Sequence, residues 1–155
     1  MCFNSLVGGF AAILTFLPRI SISPSDPPDL QDIFSASFTI TNTNFIPLRD
    51  VSASVAAGNI LLGDSPPNVK TRSNEFNLRL QIPDWTNHNL DIDEKFAITP
   101  QDVINFPKSP SSIYADIGIV VTYKPWFLPF HREKIFRFVT HRQNDHLYWY
   151  SAPVN

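Results

Sequence analysis

The residues with the clearest potential for chemistry lie in the sequence HRQNDH, which places His141, Asp145 and His146 close together. Imidazole nitrogens and carboxylate oxygens are common ligands of zinc and other transition metals. The same stretch contains Asn144 next to Asp145, and this pair is typical of a tight turn between two strands. A metal site also needs second partners that orient its ligands, and none can be identified here. We therefore interpret HRQNDH as a hairpin turn and predict no metal site.

A group of carboxylates is the second candidate for chemistry. Asp91, Asp93 and Glu94 lie close together before a predicted strand. Paired carboxylates carry out general acid and base catalysis, for example in glycoside hydrolysis. Nothing singles out one pair, however, and this pattern is also typical of a solvated turn, which is the interpretation we favour.

The usual signatures of other enzyme classes are missing from the sequence. No serine lies in a G-x-S-x-G motif, and Cys2 lies in an apolar stretch that disfavours a reactive thiolate. The five glycines build no phosphate-binding loop. We therefore predict a noncatalytic protein without catalytic residues, cofactor or metal, and we keep an enzyme as a third alternative only.

Composition limits the class of protein further. The chain has 155 residues, of which 43% are hydrophobic and 17% charged, and its formal charge is -2. These values predict one globular domain, since a chain of this length buries roughly 68–70% of its unfolded surface without disulfides or metals. The lone Cys2 agrees, because it cannot form an internal bridge. Nucleic-acid binding needs clustered basic residues, which the chain lacks, so we predict no nucleic-acid partner.

An apolar segment opens the chain. Residues 3–17 (FNSLVGGFAAILTFL) contain no charged side chain and are followed by Pro18 and Arg19. This composition predicts a short apolar helix that anchors the protein in a membrane, although the run is shorter than the about 20 residues typical of a spanning helix. A packed N-terminal element and a remnant of a signal peptide are the alternatives.

The predicted anchor divides the chain into two parts, which are residues 1–18 and a domain of residues 19–155. Arg19 is the only basic residue near the apolar segment. The distribution of positive charge therefore does not determine on which side of the membrane the domain lies.

From Arg19 onward the apolar residues recur with a period of two, and the fourteen prolines of the chain exclude long helices. The clearest case is residues 113–123, a predicted half-buried strand with Asp116, Gly118 and Thr122 on its polar face. A helical turn is predicted at residues 99–106, with Thr99 as its cap and Pro100 in its first position. The other predicted strands lie at residues 20–22, 34–41, 51–55, 76–82, 96–98, 136–139 and 147–149.

Seven to eight short strands separated by turns are the sequence signature of an antiparallel β-sandwich. The strands and turns contain the motifs Phe38-x-Ile40-x-Asn42, Ile46-Pro47-Leu48-x-Asp50-Val51 and Tyr114-x-Asp116-Ile117-x-Ile119-x-Val121-x-Tyr123. With these motifs, residues 19–150 resemble the bacterial immunoglobulin-like and fibronectin-III-like domains. The resemblance implies an all-β, immunoglobulin-like sandwich, here preceded by the short apolar N-terminal helix, and it implies a binding, adhesion or spacer module.

The loop of residues 124–133 is long for a hairpin and rich in large apolar side chains. Pro125 and Pro129 prevent ordinary strand pairing, so these side chains are expected on a stiff tip. The tip either folds back over one end of the core or forms an exposed contact surface.

Counting strand directions predicts where this tip lies. If seven strands alternate, the chain enters at the end that also holds the connections between strands two and three, four and five, and six and seven. An extra strand before the sixth would place the tip at the opposite end. The candidate interaction surface at the shared end consists of Phe45, Ile46, Trp85, Lys124, Trp126, Phe127, Leu128, Phe130 and Arg132.

These observations lead to two hypotheses for function. The first is a noncatalytic, single-pass membrane-tethered interaction or scaffold domain, whose aromatic and basic loop contacts the membrane interface or an unknown protein partner. The alternative is a soluble, periplasmic or secreted module without an anchor that binds protein or carbohydrate through the same loop. Aromatic rings suit both surfaces.

Overall fold

The structure of the protein is a computed structural model that describes residues 19–63, 76, 78–105 and 113–154. Nine β-strands are present in these residues, together with 3-10 turns at Ile33–Ser35, Pro83–Trp85 and Pro100–Asp102. The strands are β1 (Ile20–Pro24), β2 (Phe38–Asn42), β3 (Leu48–Leu62), β4 (Arg79–Leu80), β5 (His88–Leu90), β6 (Lys95–Ile98), β7 (Ile113–Pro125), β8 (Arg132–Gln143) and β9 (His146–Ala152).

The strands form two antiparallel sheets. The small sheet has the order β1-β2-β6, and the large sheet has the order β4-β3-β7-β8-β9, with β5 also paired to β3. The described pairings are all antiparallel. The prediction of an all-β protein built from antiparallel sheets is therefore confirmed at this level.

The core lies between the inner faces of the two sheets and contains residues from both. Phe38 of the small sheet meets Phe138 of the large sheet edge to face, with ring centroids 4.9 Å apart. The indole Nε1 of Trp149 donates to the carbonyl oxygen of Ile33 at 2.9 Å, which ties the last strand to the first 3-10 turn. Burial of each such large side chain contributes about 1.5–3 kcal/mol, so this shared interior holds the sheets together.

Strand β7 confirms the predicted strand at residues 113–123, but it is buried on both faces. Its outer face carries Gly118 and Val120, which are buried with Phe76 and Ala56 in a small second cluster. A methyl group at Gly118 would lie 3.0 Å from the nearest atom of the Phe76 ring, so a larger residue would require the ring to shift by a few tenths of an ångström. The prediction of a half-buried strand is wrong here because Phe76 covers part of the face expected to be in solvent.

Two other predicted strands are shorter in the structure. The strand expected from residue 34 begins at Phe38, because residues 33–35 form a 3-10 turn in which Asp32 Oδ1 accepts from the Phe34 amide at 3.0 Å. The strand expected at residues 76–82 is limited to β4, and Pro83 opens the next 3-10 turn. In both places local polar capping and proline outweigh the apolar alternation.

The strand β5 was not predicted, because three residues are too few to display an alternation. It pairs with the beginning of β3, whereas β4 pairs with Val55 and Ala56 farther along the same strand. Since both are antiparallel to β3, they act as one interrupted edge strand. The extra strand therefore leaves the direction of β7 unchanged.

The predicted helical turn near Thr99 is a single 3-10 turn at Pro100–Asp102, with proline in its first positions as expected. The Thr99 side chain does not cap it. Its hydroxyl instead forms a 3.1 Å hydrogen bond with the hydroxyl of Ser37, which links the turn to the start of β2.

The sequence HRQNDH forms the predicted hairpin turn, with Gln143 and His146 paired as the last residues of β8 and the first of β9. Asn144 and Asp145 both have a positive φ, of 50° and 64°. Two consecutive residues of this kind are typical of a type I′ turn, whose twist matches that of the flanking strands.

We expect the Asp145→Gly variant to be more stable than the wild type by roughly 0.5–1 kcal/mol, because glycine adopts a positive φ without steric cost. Urea unfolding followed by tryptophan fluorescence measures the change. Asn144→Ala is the opposing control and is expected to destabilise the hairpin. A less stable Asp145→Gly protein would contradict the turn geometry.

The predicted N-terminal helix and the rest of residues 1–18 lie outside the described residues. In the part of the chain that the structure describes, no helix is both long and apolar enough to cross a membrane. The anchor remains a prediction.

Candidate interaction surface at the end where the chain enters

Three segments meet at the end of the molecule where the chain enters at Arg19. The Arg19 carbonyl oxygen accepts hydrogen bonds from the amide of Thr43 at 3.0 Å and from its hydroxyl at 3.1 Å. The amide of Trp126 donates to the carbonyl oxygen of Pro47 at 3.3 Å. The loop between β2 and β3 is therefore bonded on one side to the chain entry and on the other to the loop between β7 and β8.

The buried side chain of Asn42 organises this end. Its Nδ2 donates to the carbonyl oxygens of Ile46, at 2.8 Å, Leu90, at 3.1 Å, and Asp91, at 3.2 Å. Its Oδ1 accepts from the Asn44 amide at 3.2 Å. A single amide thus holds the β2–β3 loop and the β5–β6 turn together. Asn42 was not predicted as a structural residue, although it continues the inward-facing alternation of Phe38 and Ile40 and was the one polar residue in that row.

The β7–β8 loop, residues 126–131, is held in shape by its prolines and backbone. Pro125 is buried as the last residue of β7 and pairs with Leu48, and its carbonyl oxygen accepts from the Leu128 amide at 3.0 Å. The rings of Trp126 and Phe127 meet edge to face, with centroids 6.2 Å apart. These contacts present the apolar side chains on an ordered turn.

Four aromatic side chains on these loops are exposed, and we call them the aromatic end. The exposed fractions are 81% for Phe45, 64% for Trp126, 47% for Phe127 and 50% for Phe130. All four come from loops that meet beside the chain entry. An exposed apolar group of this kind is typical of a surface that contacts a partner or a membrane.

The remaining residues of the predicted surface are placed differently. Ile46 and Trp85 are only 6% and 3% exposed, so both side chains lie inside the protein and provide no contact surface. Trp85 turns inward because Pro83 starts a 3-10 turn that interrupts the edge of the large sheet. Leu128, Lys124 and Arg132 are partly exposed beside the aromatic end.

Charged side chains surround the aromatic end. Arg132 places its guanidinium carbon 5.7 Å from the centroid of the Phe130 ring. His131 Nε2 lies 3.6 Å from a carboxylate oxygen of Asp50, and Arg49 lies 3.9 Å from Asp91. The long basic side chains can therefore cover apolar rings while their charges stay in water.

Tyr123 lies directly behind this end and is buried in the core. Burial raises the pKa of its hydroxyl above the usual value, and the positive charge of Arg132 acts in the opposite direction. The phenol thus stays neutral under ordinary conditions and serves as a packing residue.

The two groups considered for chemistry do not come together into one site. Asp91, Asp93 and Glu94 form a turn in which the Glu94 carboxylate accepts from the Asp91 amide at 2.8 Å and Asp93 has a φ of 62°.

His141 lies at the opposite end of the large sheet, beside a cavity of about 60 Å³ that is also lined by Tyr114 and Thr140. Sites for small organic ligands usually measure about 300 Å³ or more. Within the described ranges, no three potential metal ligands form a group.

No protein-family model, curated protein or solved structure matches this chain.

Proposed function

We propose that the protein is a noncatalytic, membrane-tethered domain of immunoglobulin-like type whose aromatic end rests in the membrane interface. The observation that carries this proposal is that the chain entry and the exposed aromatic side chains share one end. The hydrogen bonds from Thr43 to Arg19 and from Trp126 to Pro47 link them.

The position of Arg19 supports a membrane over a distant partner. Only Pro18 separates Arg19 from the apolar run of residues 3–17, which is the predicted anchor. A domain tethered this closely keeps its entry end next to the lipid surface. Tryptophan and other aromatic side chains favour the interfacial zone, where the apolar ring and its polar edge are both accommodated.

The well-defined backbone conformation of the loops also supports a binding role. Backbone hydrogen bonds and buried Pro125 fix the backbone of the β7–β8 loop before contact. Less conformational entropy is then lost on binding than with a flexible loop.

The proposal is tested by placing the full chain in vesicles whose lipids carry bromine on their acyl chains, a quencher of tryptophan fluorescence. Trp126 is 64% exposed, whereas Trp85 and Trp149 are buried, with only 3% and 6% of their surface exposed. We expect quenching in the wild type and its loss in Trp126→Phe, which removes the fluorophore and keeps an aromatic ring. Equal quenching in both proteins, or none in either, would contradict the proposal.

A matched control moves the reporter to the opposite end of the molecule. Leu30 is 59% exposed in the connection that leaves the far end of β1. In the Trp126→Phe protein, the additional change Leu30→Trp is expected to give a fluorescent side chain that the lipids do not quench.

A second prediction separates contact from core capping. The reference protein carries Phe45→Trp and Trp126→Phe, so that its exposed tryptophan lies at position 45. The test protein carries Phe45→Trp together with Trp126→Ser and Phe127→Ser. We expect the lipids to quench the tryptophan at position 45 much less in the test protein than in the reference protein. The two serines should change the free energy of unfolding by less than about 1 kcal/mol, because both positions are exposed. A loss of several kcal/mol in urea unfolding would instead support capping of the core.

A further inference from the structure

Three cations on the strands that flank the β7–β8 loop have no carboxylate partner among the described residues. These cations are Lys124, Arg132 and Lys134. The ion pairs among the described residues, with nitrogen and oxygen within 4.0 Å, include none of them. Arg132 and Lys134 contact aromatic rings instead, since Arg132 lies 5.7 Å from the centroid of Phe130 and Lys134 lies 4.7 Å from that of Phe136. The positive charge of this side is therefore available to an external anion.

The carboxylates nearest to these cations in the chain have other neighbours. Glu133 forms a two-bond pair with Arg79, and Asp50 lies 3.6 Å from His131. These pairs leave the charge of Lys124, Arg132 and Lys134 uncompensated by direct contacts. The local surface is consequently receptive to negative groups although the whole chain carries a formal charge of -2.

The negative charge of this end is concentrated on a different loop. The β5–β6 turn carries Asp91, Asp93 and Glu94, all exposed, and Arg49 is the described cation that pairs with one of them. The turn is bonded to the end of β2 through the Asp93 amide, which donates to the Asn42 carbonyl oxygen at 3.0 Å. The three carboxylates thus lie on the β5–β6 turn, whereas the three cations lie on β7 and β8.

We propose that the aromatic end recognises anionic phospholipid headgroups, with the β7–β8 loop inserted and the acidic β5–β6 turn held away from the surface. This inference rests on the proposed function, because the predicted anchor brings the same end to the membrane. Phosphate groups attract the three free cations, and the same field repels the three carboxylates. Charge separation therefore sets both the lipid preference and the tilt of the domain.

The experiment compares the full chain in vesicles of phosphatidylcholine with vesicles of equal parts phosphatidylcholine and phosphatidylglycerol, both with brominated acyl chains. Quenching of Trp126 reports the ratio of inserted to free loops. We expect stronger quenching on the anionic vesicles, and we expect added salt to reduce that difference because it screens exposed charges.

Neutralising one cation at a time measures its contribution. Lys124→Gln, Arg132→Gln and Lys134→Gln are each expected to lower the inserted-to-free ratio by about fivefold on anionic vesicles and hardly at all on neutral ones. Arg132→Lys keeps the charge and should retain the ratio. Lys95→Gln, on the strand after the acidic turn, is the matched control and should have little effect.

The opposite change tests the orientation. Asp93→Asn removes a negative charge from the acidic turn, and asparagine tolerates the positive φ of 62° at this position. We expect this variant to insert more strongly than the wild type on anionic vesicles only.

The outcomes distinguish the two proposals. Equal quenching on both vesicles, unchanged by the three glutamine variants, would overturn the lipid preference and leave membrane contact intact. Absence of Trp126 quenching on either vesicle would overturn both. Shielding of Trp126 that depends on protein concentration in lipid-free detergent would assign the aromatic end to a second copy of the chain and would also overturn the lipid site.

Discussion

Replacing Arg137 with methionine is expected to lower the free energy of unfolding by about 3–5 kcal/mol, because it leaves a buried carboxylate without its guanidinium. Asp116 is 0% exposed, and Arg137 donates to its two oxygens at 3.0 and 2.8 Å. These hydrogen bonds raise the pKa of Arg137 above its usual value. Arg137 also donates to the Pro153 carbonyl oxygen at 3.2 Å, so the same side chain fixes the C-terminal end of the chain to β8.

The chain provides a matched control for this experiment in Arg79. It forms the same two-bond pair with Glu133, but both side chains are 40% exposed. Arg79→Met is therefore expected to cost less than about 1 kcal/mol. Urea unfolding of the two variants compares the pairs directly, and equal losses would contradict the larger effect expected for the buried pair.

Replacing both Asp116 and Arg137 tests whether the loss of stability comes from a buried charge that has lost its guanidinium. When both charged partners of a buried pair become apolar, no uncompensated charge remains, and stability is often regained. We expect the Asp116→Leu, Arg137→Met protein to be more stable than Arg137→Met alone. A further loss in the double variant would show that the surrounding residues, rather than the loss of the guanidinium from a buried carboxylate, cause the effect.

Replacing Asn42 with leucine is expected to cost about 3–4 kcal/mol, since it removes the donor for three carbonyl oxygens and the acceptor for the Asn44 amide. The leucine places an apolar side chain of similar size at a position that is 0% exposed. Most of the loss therefore reflects polar backbone groups left without partners. Urea unfolding measures it.

Two controls accompany this replacement. Thr43→Val removes the exposed hydroxyl bond to Arg19 and keeps the backbone bond, so it should cost less than about 1 kcal/mol. Asn42→Asp is expected to be severely destabilised at neutral pH, because its carboxylate would face the carbonyl oxygens. Its folded state would favour the protonated acid, so its stability should recover as the pH falls and decline as the pH rises. Wild-type stability in Asn42→Leu would contradict the role of this amide.

The loss of Asn42 also connects stability to the proposed function. The amide fixes the β2–β3 loop, which carries Phe45 and accepts the Trp126 amide at Pro47. In a partly destabilised Asn42 variant that still folds, we expect weaker membrane quenching of Trp126 because its supporting loop is no longer held.

Local patterns predicted much of the framework. The period of two located β7 and β8, because every second side chain of a strand faces the same side. Asn144 and Asp145 located the β8–β9 turn, since both residues tolerate a positive φ. The strand count also placed the entry of the chain and the β7–β8 loop at one end. That arrangement survived the unexpected β5 because β4 and β5 run in the same direction.

Other features depended on contacts between distant residues. A periodic pattern shows which side chains share a face, but it does not show whether another segment covers that face. Phe76 covers Gly118 on the outer side of β7, and this contact was not evident from either residue alone. Trp85 was expected at the surface, but it is buried. Its side chain points into the core because it lies in the 3-10 turn that begins at Pro83.

The sequence alone determined the strand-rich character of the protein, its main hairpin turn and the stiff aromatic loop, because these follow from neighbouring residues and their allowed backbone angles. Only the tertiary structure decided which aromatic side chains are exposed and which polar ones are buried. Asp116 meets Arg137 through the register between β7 and β8, and Asn42 meets Leu90 through the packing of two loops. Such partners lie far apart along the chain, so their contacts arise only when the sheets assemble.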